Sequence, residues 1–392
     1  MTTFPHQMIQ TYKDFLLGLQ GFPLILLFSF LVLYIIRMLH LFLFTGKILF
    51  LKKGKADTGG SHPISILITI RNDEEALKEY LPKLLTIEGT DYEVIVVDDY
   101  SQDNSFVVLG TLRRENKRLK ISTLNEETRF SSKLAQNIAI KAASNNWVLP
   151  VPVAFENEGS KWLSDFAEQL TESKNLVLGY STVKSTSKIY NLLYRIENYF
   201  SYLKSTGLIL NSVPLVYSDE NIAFRKEEYF KLGGYGQKIK EPYANLELMV
   251  NSFVRKKTTK VLFSKESAIQ KNIEIKEDDY LDLIRKNIRI EKYLSGAKRI
   301  FLGAEEFTKL IFFPLSVTAF IVLTNVWIIF AALLLIKIIA HSTVVKITQN
   351  RLNEHKIFIS SLVYDLFAPY FRLFYRSYFN YRSRKHKWRN KV

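Results

Sequence analysis

The chain has 392 residues, 47% of them hydrophobic, and a formal net charge of +16 from 54 lysines and arginines against 38 acids. It has no cysteine, which excludes a disulfide framework, a thiolate zinc site and a cysteine nucleophile. Much of the positive charge flanks apolar runs and no nucleic-acid recognition motif accompanies it, so the charge points to anionic lipid headgroups rather than nucleic acid.

Residues 22–44 are almost continuously apolar, broken late by Arg37 and His40, and match the roughly 20 residues of one spanning helix. The polar stretch before them and the lack of a small-residue cleavage pattern after them argue against a signal peptide. Lys47, Lys52, Lys53 and Lys55 follow with no acid before Asp57. The positive-inside rule therefore puts the next domain in the cytoplasm and the N-terminus outside. Residues 1–45 read as an anchor and 46–62 as a linker, its Gly54-to-His62 part lacking order.

From residue 63 strands and helices alternate. Residues 64–70 and 93–97 read as buried parallel strands, 120–124 as a third and 147–153 as a fourth. The intervening helices fall at 73–86, 104–114 and 131–144, with another at 158–170. This order implies a doubly wound α/β sheet. Ligands of open α/β sheets bind outside the carboxyl ends of the strands, so Arg71, Asp98 and Asp99 would meet in one crevice laid out like a nucleotide pocket. The competing reading is structural: residues 98–103 (DDYSQD) are also good turn chemistry. A tyrosine-rich helix over 188–210 follows, then a strand into 221–224, a short helix stopped at Gly233-Gly234, and a helix around 245–254.

The α/β domain is expected to end near 275, and 276–305 to be an interfacial amphipathic segment. Apolar runs at 310–323 and 326–339 are separated by Thr324-Asn325. They read as a helical hairpin (306–345) with both ends inside, next to Lys309 and to Lys337, Lys346 and Arg351; a single long helix is the alternative. Residues 357–378 are aromatic and amphipathic and carry Asp365, Pro369 and Arg372. They suit an interfacial helix, or a re-entrant one, ahead of a basic tail from Tyr381, the whole segment being 346–392. His62 and His341 look isolated.

Three segments together resemble the family 2 glycosyltransferases: the opening ISILITIRNDEE…YEVIVVDDYS (64–101), the helix KLAQNIAI (133–140), and ENIAFRK…LGGY (220–235). The order of one helix, a transferase domain and C-terminal membrane helices is similar to that of membrane-bound members. The resemblance implies a GT-A fold, a nucleotide-diphosphate sugar donor, and inverting displacement at the anomeric carbon. It places Thr69, Arg71, Asp98 and Asp99 where the family cradles base and ribose. The family also keeps a D-x-D for Mg or Mn, an Asp general base opening a later helix, and a Q-x-x-R-W-type segment. Here those positions hold Pro152-Val153-Ala154, Asn245, and Lys292-Tyr293. Glu247 is the remaining candidate base if the chain is active, and Glu156 and Glu158 are the nearest acids to the lost metal site.

The expectation is therefore an inner-membrane, family 2 glycosyltransferase-like protein of envelope polysaccharide or glycolipid assembly, with no metal cofactor. It binds a nucleotide-sugar, anionic lipids and an envelope-biosynthesis partner, and is catalytically degenerate. The alternatives are an active metal-independent transferase, with basic side chains steadying the diphosphate, and a membrane scaffold with a vestigial crevice.

Overall fold

A computed structural model describes residues 20–51, 62–127 and 130–385. The N-terminal segment, most of the linker and the end of the basic tail lie outside the described residues.

The α/β domain is built on a seven-stranded sheet in the order β3-β2-β1-β4-β8-β6-β9. Its strands are β1 (Ile64–Ile70), β2 (Tyr92–Asp98), β3 (Leu119–Thr123), β4 (Trp147–Pro150), β6 (Leu176–Leu178), β8 (Ile222–Arg225) and β9 (Thr259–Val261). β1 and β2 lie inside the sheet, and nearly every side chain on them is apolar because both faces are covered. They pair in parallel from Ile64 opposite Tyr92 to Ile70 opposite Asp98, so their carboxyl ends arrive together. Helices α1 (Phe22–His40), α2 (Glu74–Leu85), α3 (Ser105–Glu115), α4 (Ser131–Ala142), α5 (Ser160–Ala167) and α6 (Ile189–Leu210) precede β8.

The strands of this doubly wound sheet are not all parallel. β8 runs antiparallel to both β4 and β6. The chain reaches it through the 22 residues of α6, which carry it back to the opposite end of the sheet. β4 also stops three residues early, at Pro150, with Pro152 close behind; prolines lack the N–H that a strand interior requires. The chain then forms a three-stranded sheet that the sequence did not reveal, ordered β5-β10-β7, from β5 (Phe155–Glu156), β7 (Ser181–Val183) and β10 (Ile269–Lys271).

After β8 come α7 (Lys226–Lys231), α8 (Glu247–Phe253), α9 (Glu277–Glu291), α10 (Gly296–Val322), α11 (Trp327–Arg351) and α12 (Phe358–Lys385). The segment expected to lie at an interface, 276–305, contains α9, which buries Tyr280, Leu283, Ile284 and Ile288 in the domain. α12 is likewise tied to α6: Arg372 and the Tyr364 hydroxyl donate to the buried Glu197 carboxylate at 2.8 and 2.9 Å.

Two stretches, Phe22–Leu49 and Thr324–Arg351, are long and apolar enough to cross a membrane. The chain turns through Thr324–Val326, where Leu323 and Val326 pack with Leu26 and Phe30 of α1. The other ends of α10 and α11 meet α6: Glu305 lies 3.1 Å from Lys204, and Thr348 bonds the Tyr199 hydroxyl at 2.6 Å. The helical turns that continue α1, Leu41–Gly46, reach the same helix, and a Cβ on Gly207 would come within 2.8 Å of the Phe44 carbonyl oxygen. These helices therefore run from the α/β domain to a common far tip.

Candidate active site

A cleft of about 300 Å³ opens at the carboxyl edge of β1 and β4. Thr69 and Asp73 line one side, Gln136 of α4 another, and residues 150–154 the floor. Asp219, Glu220, Leu246 and Lys271 close it from elements later in the chain.

Of the residues singled out in the sequence, Thr69 lines this cleft, while Asp98 ends β2 and Arg71 and Asp99 stand on the adjoining loops. Arg71 pairs with Glu127 at 2.8 Å, a bond that raises its pKa above the ordinary guanidinium value. Asp98 is buried and accepts from both the backbone N–H and the hydroxyl of Ser101. Asp99 is buried too, and its N–H donates to the Ile70 carbonyl at 2.8 Å. The two loops are laced together: Asn72 accepts from the Gln102 N–H at 2.7 Å and donates its own N–H to Ser101 at 2.9 Å. Asn72 and Tyr100 both take left-handed backbone, φ 56° and 58°. Asp98 thus has a structural task whatever else it does.

Pro152, Val153 and Ala154 form the floor where the resemblance would put metal ligands, and their side chains carry no oxygen. Glu156 lies outside the cleft, paired with Lys184 at 3.1 Å, and Glu158 is exposed. Among the described residues no three His, Asp or Glu side chains come together as a metal cage. The donor set does not fit a dication.

A lysine stands there instead. β10 pairs antiparallel with β5, Lys271 opposite Phe155, which brings Lys271 beside the floor. Its ammonium is 2.9 Å from Glu220, and Lys286 of α9 is 3.2 Å from Asp219. Sequence reasoning missed Asp219, Lys271 and Lys286, and took Glu220 only as the first residue of a family-like segment. Asp219 and Glu220 directly precede the N-x-A-F-R-K segment and could have been noticed there; Lys271 lies in a three-residue strand with no motif around it.

Glu247 is completely buried and does not line the cleft. Oε1 accepts from the Asn245 N–H at 3.0 Å, whereas Oε2 has no hydrogen-bond partner. Burial, then repulsion by Asp219, pushes its pKa up to about 8. For Asp219, burial opposes the charge, but Lys286 and Lys271 outweigh it and hold the carboxyl below its ordinary range. In the segment that holds Lys292-Tyr293, Arg289 grips Glu241 with two nitrogens at 2.7–3.0 Å, and the Tyr293 hydroxyl joins them at 3.0 Å.

Among curated proteins, no sequence matches this chain. The family model described as Glycosyl transferase family 2 matches residues 65–230. Among solved structures, the mannosyltransferase PcManGT from Pyrobaculum calidifontis, in complex with GDP-Man and Mn²⁺, is similar at 15% identity and a TM-score of 0.50, over 88% of this chain and 98% of that one. S. aureus TarS (its residues 1–349) gives 17% identity and a TM-score of 0.40, over 60% and 68%. In strand order and cleft position the α/β domain has a GT-A fold, and its residues 65–230 match the glycosyl transferase family 2 model.

Proposed function

We propose that this chain is a membrane-bound pseudoglycosyltransferase: it holds a nucleotide-diphosphate sugar without a divalent metal, does not transfer the sugar, and acts as a partner subunit in envelope polysaccharide or glycolipid assembly. One observation carries the reading. Where the family resemblance calls for paired carboxylates there are Pro152 and Ala154, and the cation at that place is built in as Lys271. An ammonium neutralises diphosphate charge without coordination geometry, as a point charge.

Sugar transfer also needs a base that is both accessible and basic enough to take a hydroxyl proton. The cleft divides these properties between two residues. Asp219 reaches the cleft, but its neighbouring lysines make it a weak base. Glu247 is basic enough but sealed inside the protein. Asn245, at the expected base position, cannot accept a proton at neutral pH. The solved relative's own ligands, GDP-Man and Mn²⁺, make a nucleotide-sugar a reasonable first probe.

The membrane assignment rests on the two long apolar helices and the lysines at their domain-side ends. The second reading, an active metal-independent transferase, is favoured by the presence of Asp219 in the cleft. Titration calorimetry of the full chain with UDP-, GDP- and dTDP-sugars, with EDTA or Mn²⁺, separates them when run beside a donor-turnover assay. The expected result is metal-indifferent binding without turnover. Turnover abolished by Asp219→Asn or Glu247→Gln establishes the active enzyme, and absence of any nucleotide binding leaves the crevice vestigial.

A further inference from the structure

A second cavity, about 90 Å³, lies where the apolar helices meet the α/β domain, walled by α1, α6, α10, α11 and α12. Five lysines and arginines line it against three carboxylates. Each carboxylate is already matched. Glu305 lies 3.1 Å from both Lys204 and Lys309, Asp365 faces Lys309 at 3.7 Å and His341 at 3.5 Å, and Glu306 takes Arg372 and Arg376 at 3.6 and 3.0 Å. The histidine that looked isolated in the sequence therefore belongs to a charged cluster.

Two cations are left over. Arg37 makes no ion pair among the described residues, and its Nη1 is buried with no hydrogen-bond partner. It is near enough to feel Glu305 and Asp365 but bonds neither. Lys337 makes no ion pair among the described residues; its nitrogen lies 4.7 Å from the centroid of the Phe312 ring. Both sit on the stretches long and apolar enough to cross a membrane, with Ile35, Ile36 and Leu39 exposed around Arg37 and Ile336 and Ile338 around Lys337. A charge without an ion-pair partner on such a stretch is costly and marks a site whose partner is missing. A cavity with two surplus cations calls for a compact dianion. At roughly 30 Å³ per water, 90 Å³ holds about three waters, or one phosphate group.

We propose that this cavity binds a phosphate group, with Arg37 and Lys337 as its principal ligands. Arginine offers a forked donor that suits phosphate oxygens, and lysine adds a point charge. Two sources share this chemistry: the phosphate head of a membrane lipid, entering between the helices, and free inorganic phosphate. The lipid source rests on the membrane part of the reading above; the site itself does not depend on what the nucleotide cleft does.

The test uses the full-length chain in dodecyl maltoside, titrated calorimetrically with farnesyl phosphate, farnesol and inorganic phosphate. Farnesyl phosphate is expected to bind, farnesol not, and Arg37→Gln and Lys337→Gln each to weaken binding about tenfold or more. Inorganic phosphate bound as tightly as farnesyl phosphate, with the same loss in both variants, supports the site and assigns it to the free anion. Lys337→Met, with no polar group to refold around, gives an independent reading if Arg37→Gln proves unstable. Unchanged melting temperature in the variants shows that the fold survives. No binding of either phosphate by the wild-type chain, or binding that all three variants retain, overturns the proposal.

Discussion

Lys271 is the residue whose chemistry most changes the reading of the cleft, and its contribution is measurable. If it supplies the fixed positive charge, Lys271→Gln removes a charge-assisted bond typically worth about 1.5–3 kcal/mol. Affinity for UDP or GDP should fall roughly 10- to 150-fold, with EDTA still without effect. Calorimetry with and without chelator checks both halves. Glu247 gives a second prediction at this scale, because its folded pKa of about 8 lies well above the roughly 4.3 of an unfolded glutamate. The folded chain therefore holds a proton between those values that the unfolded chain has released. Its stabilising effect is complete below about 4.3 and is lost as pH rises through 8. Glu247→Gln fixes the neutral form, so its melting temperature should exceed that of wild type only slightly at pH 5 and by much more at pH 8.5. The gap corresponds to a few kcal/mol at about 1.4 per pH unit. Thermal unfolding across pH 5–9 checks it, and a constant gap would show that Glu247 titrates normally.

Among the elements, β8 shows how a motif legible in sequence can have a role that is not. Asn221, at the head of its N-x-A-F-R-K segment, is wholly buried with φ 56°. Its amide donates to the Tyr180 and Ser267 carbonyls at 2.8 and 2.9 Å and accepts from the Trp162 indole at 3.0 Å. Gly179 leaves room for it, since a Cβ there would lie 2.5 Å from the Asn221 amide nitrogen. Asn221 thus ties β8 to the β6–β7 junction and to α5, and holds the Asp219-Glu220 loop at the cleft. Asn221→Ala strands the Ser267 carbonyl and the Trp162 indole N–H, leaves the Tyr180 carbonyl only its bond from the Ile269 N–H, and puts alanine in left-handed backbone, so it should cost about 3 kcal/mol or more. Asn221→Gly relieves only the backbone part and should be slightly less damaging. Melting temperatures of the two variants give the comparison.

At the scale of the whole molecule, the helices set which side of the membrane each part would occupy. α10 and α11 leave the α/β domain, turn at Thr324–Val326 and return to it, with α1 alongside. If they span a membrane, Asn325 lies on the face opposite to the sheet. The chain has no cysteine, so a single introduced thiol is unambiguous. Asn325→Cys should react with an impermeant thiol reagent in intact cells, and Asp103→Cys on the exposed β2–α3 loop should react only after lysis. The opposite pattern would invert the orientation; protection of both would argue that the hairpin does not cross.

The sequence by itself determined those features that a short window encodes. β1 is legible to the residue because an apolar run of strand length is bounded by a turn, and α2, α3 and α4 because their faces repeat at helical spacing. The apolar stretches, and the absence of side-chain oxygens at Pro152-Val153-Ala154, are read the same way. Tertiary structure alone decided what depends on residues far apart in the chain. The antiparallel course of β8, the pairing of β10 with β5 that delivers Lys271 more than a hundred residues from the floor it flanks, and the sealing of Glu247 beneath the cleft leave no periodic trace. The same holds for Arg37 and Lys337, three hundred residues apart and ordinary as flanking charges in the sequence. Only the packing of five helices brings them into one cavity without an ion-pair partner among the described residues, and that makes their charge informative.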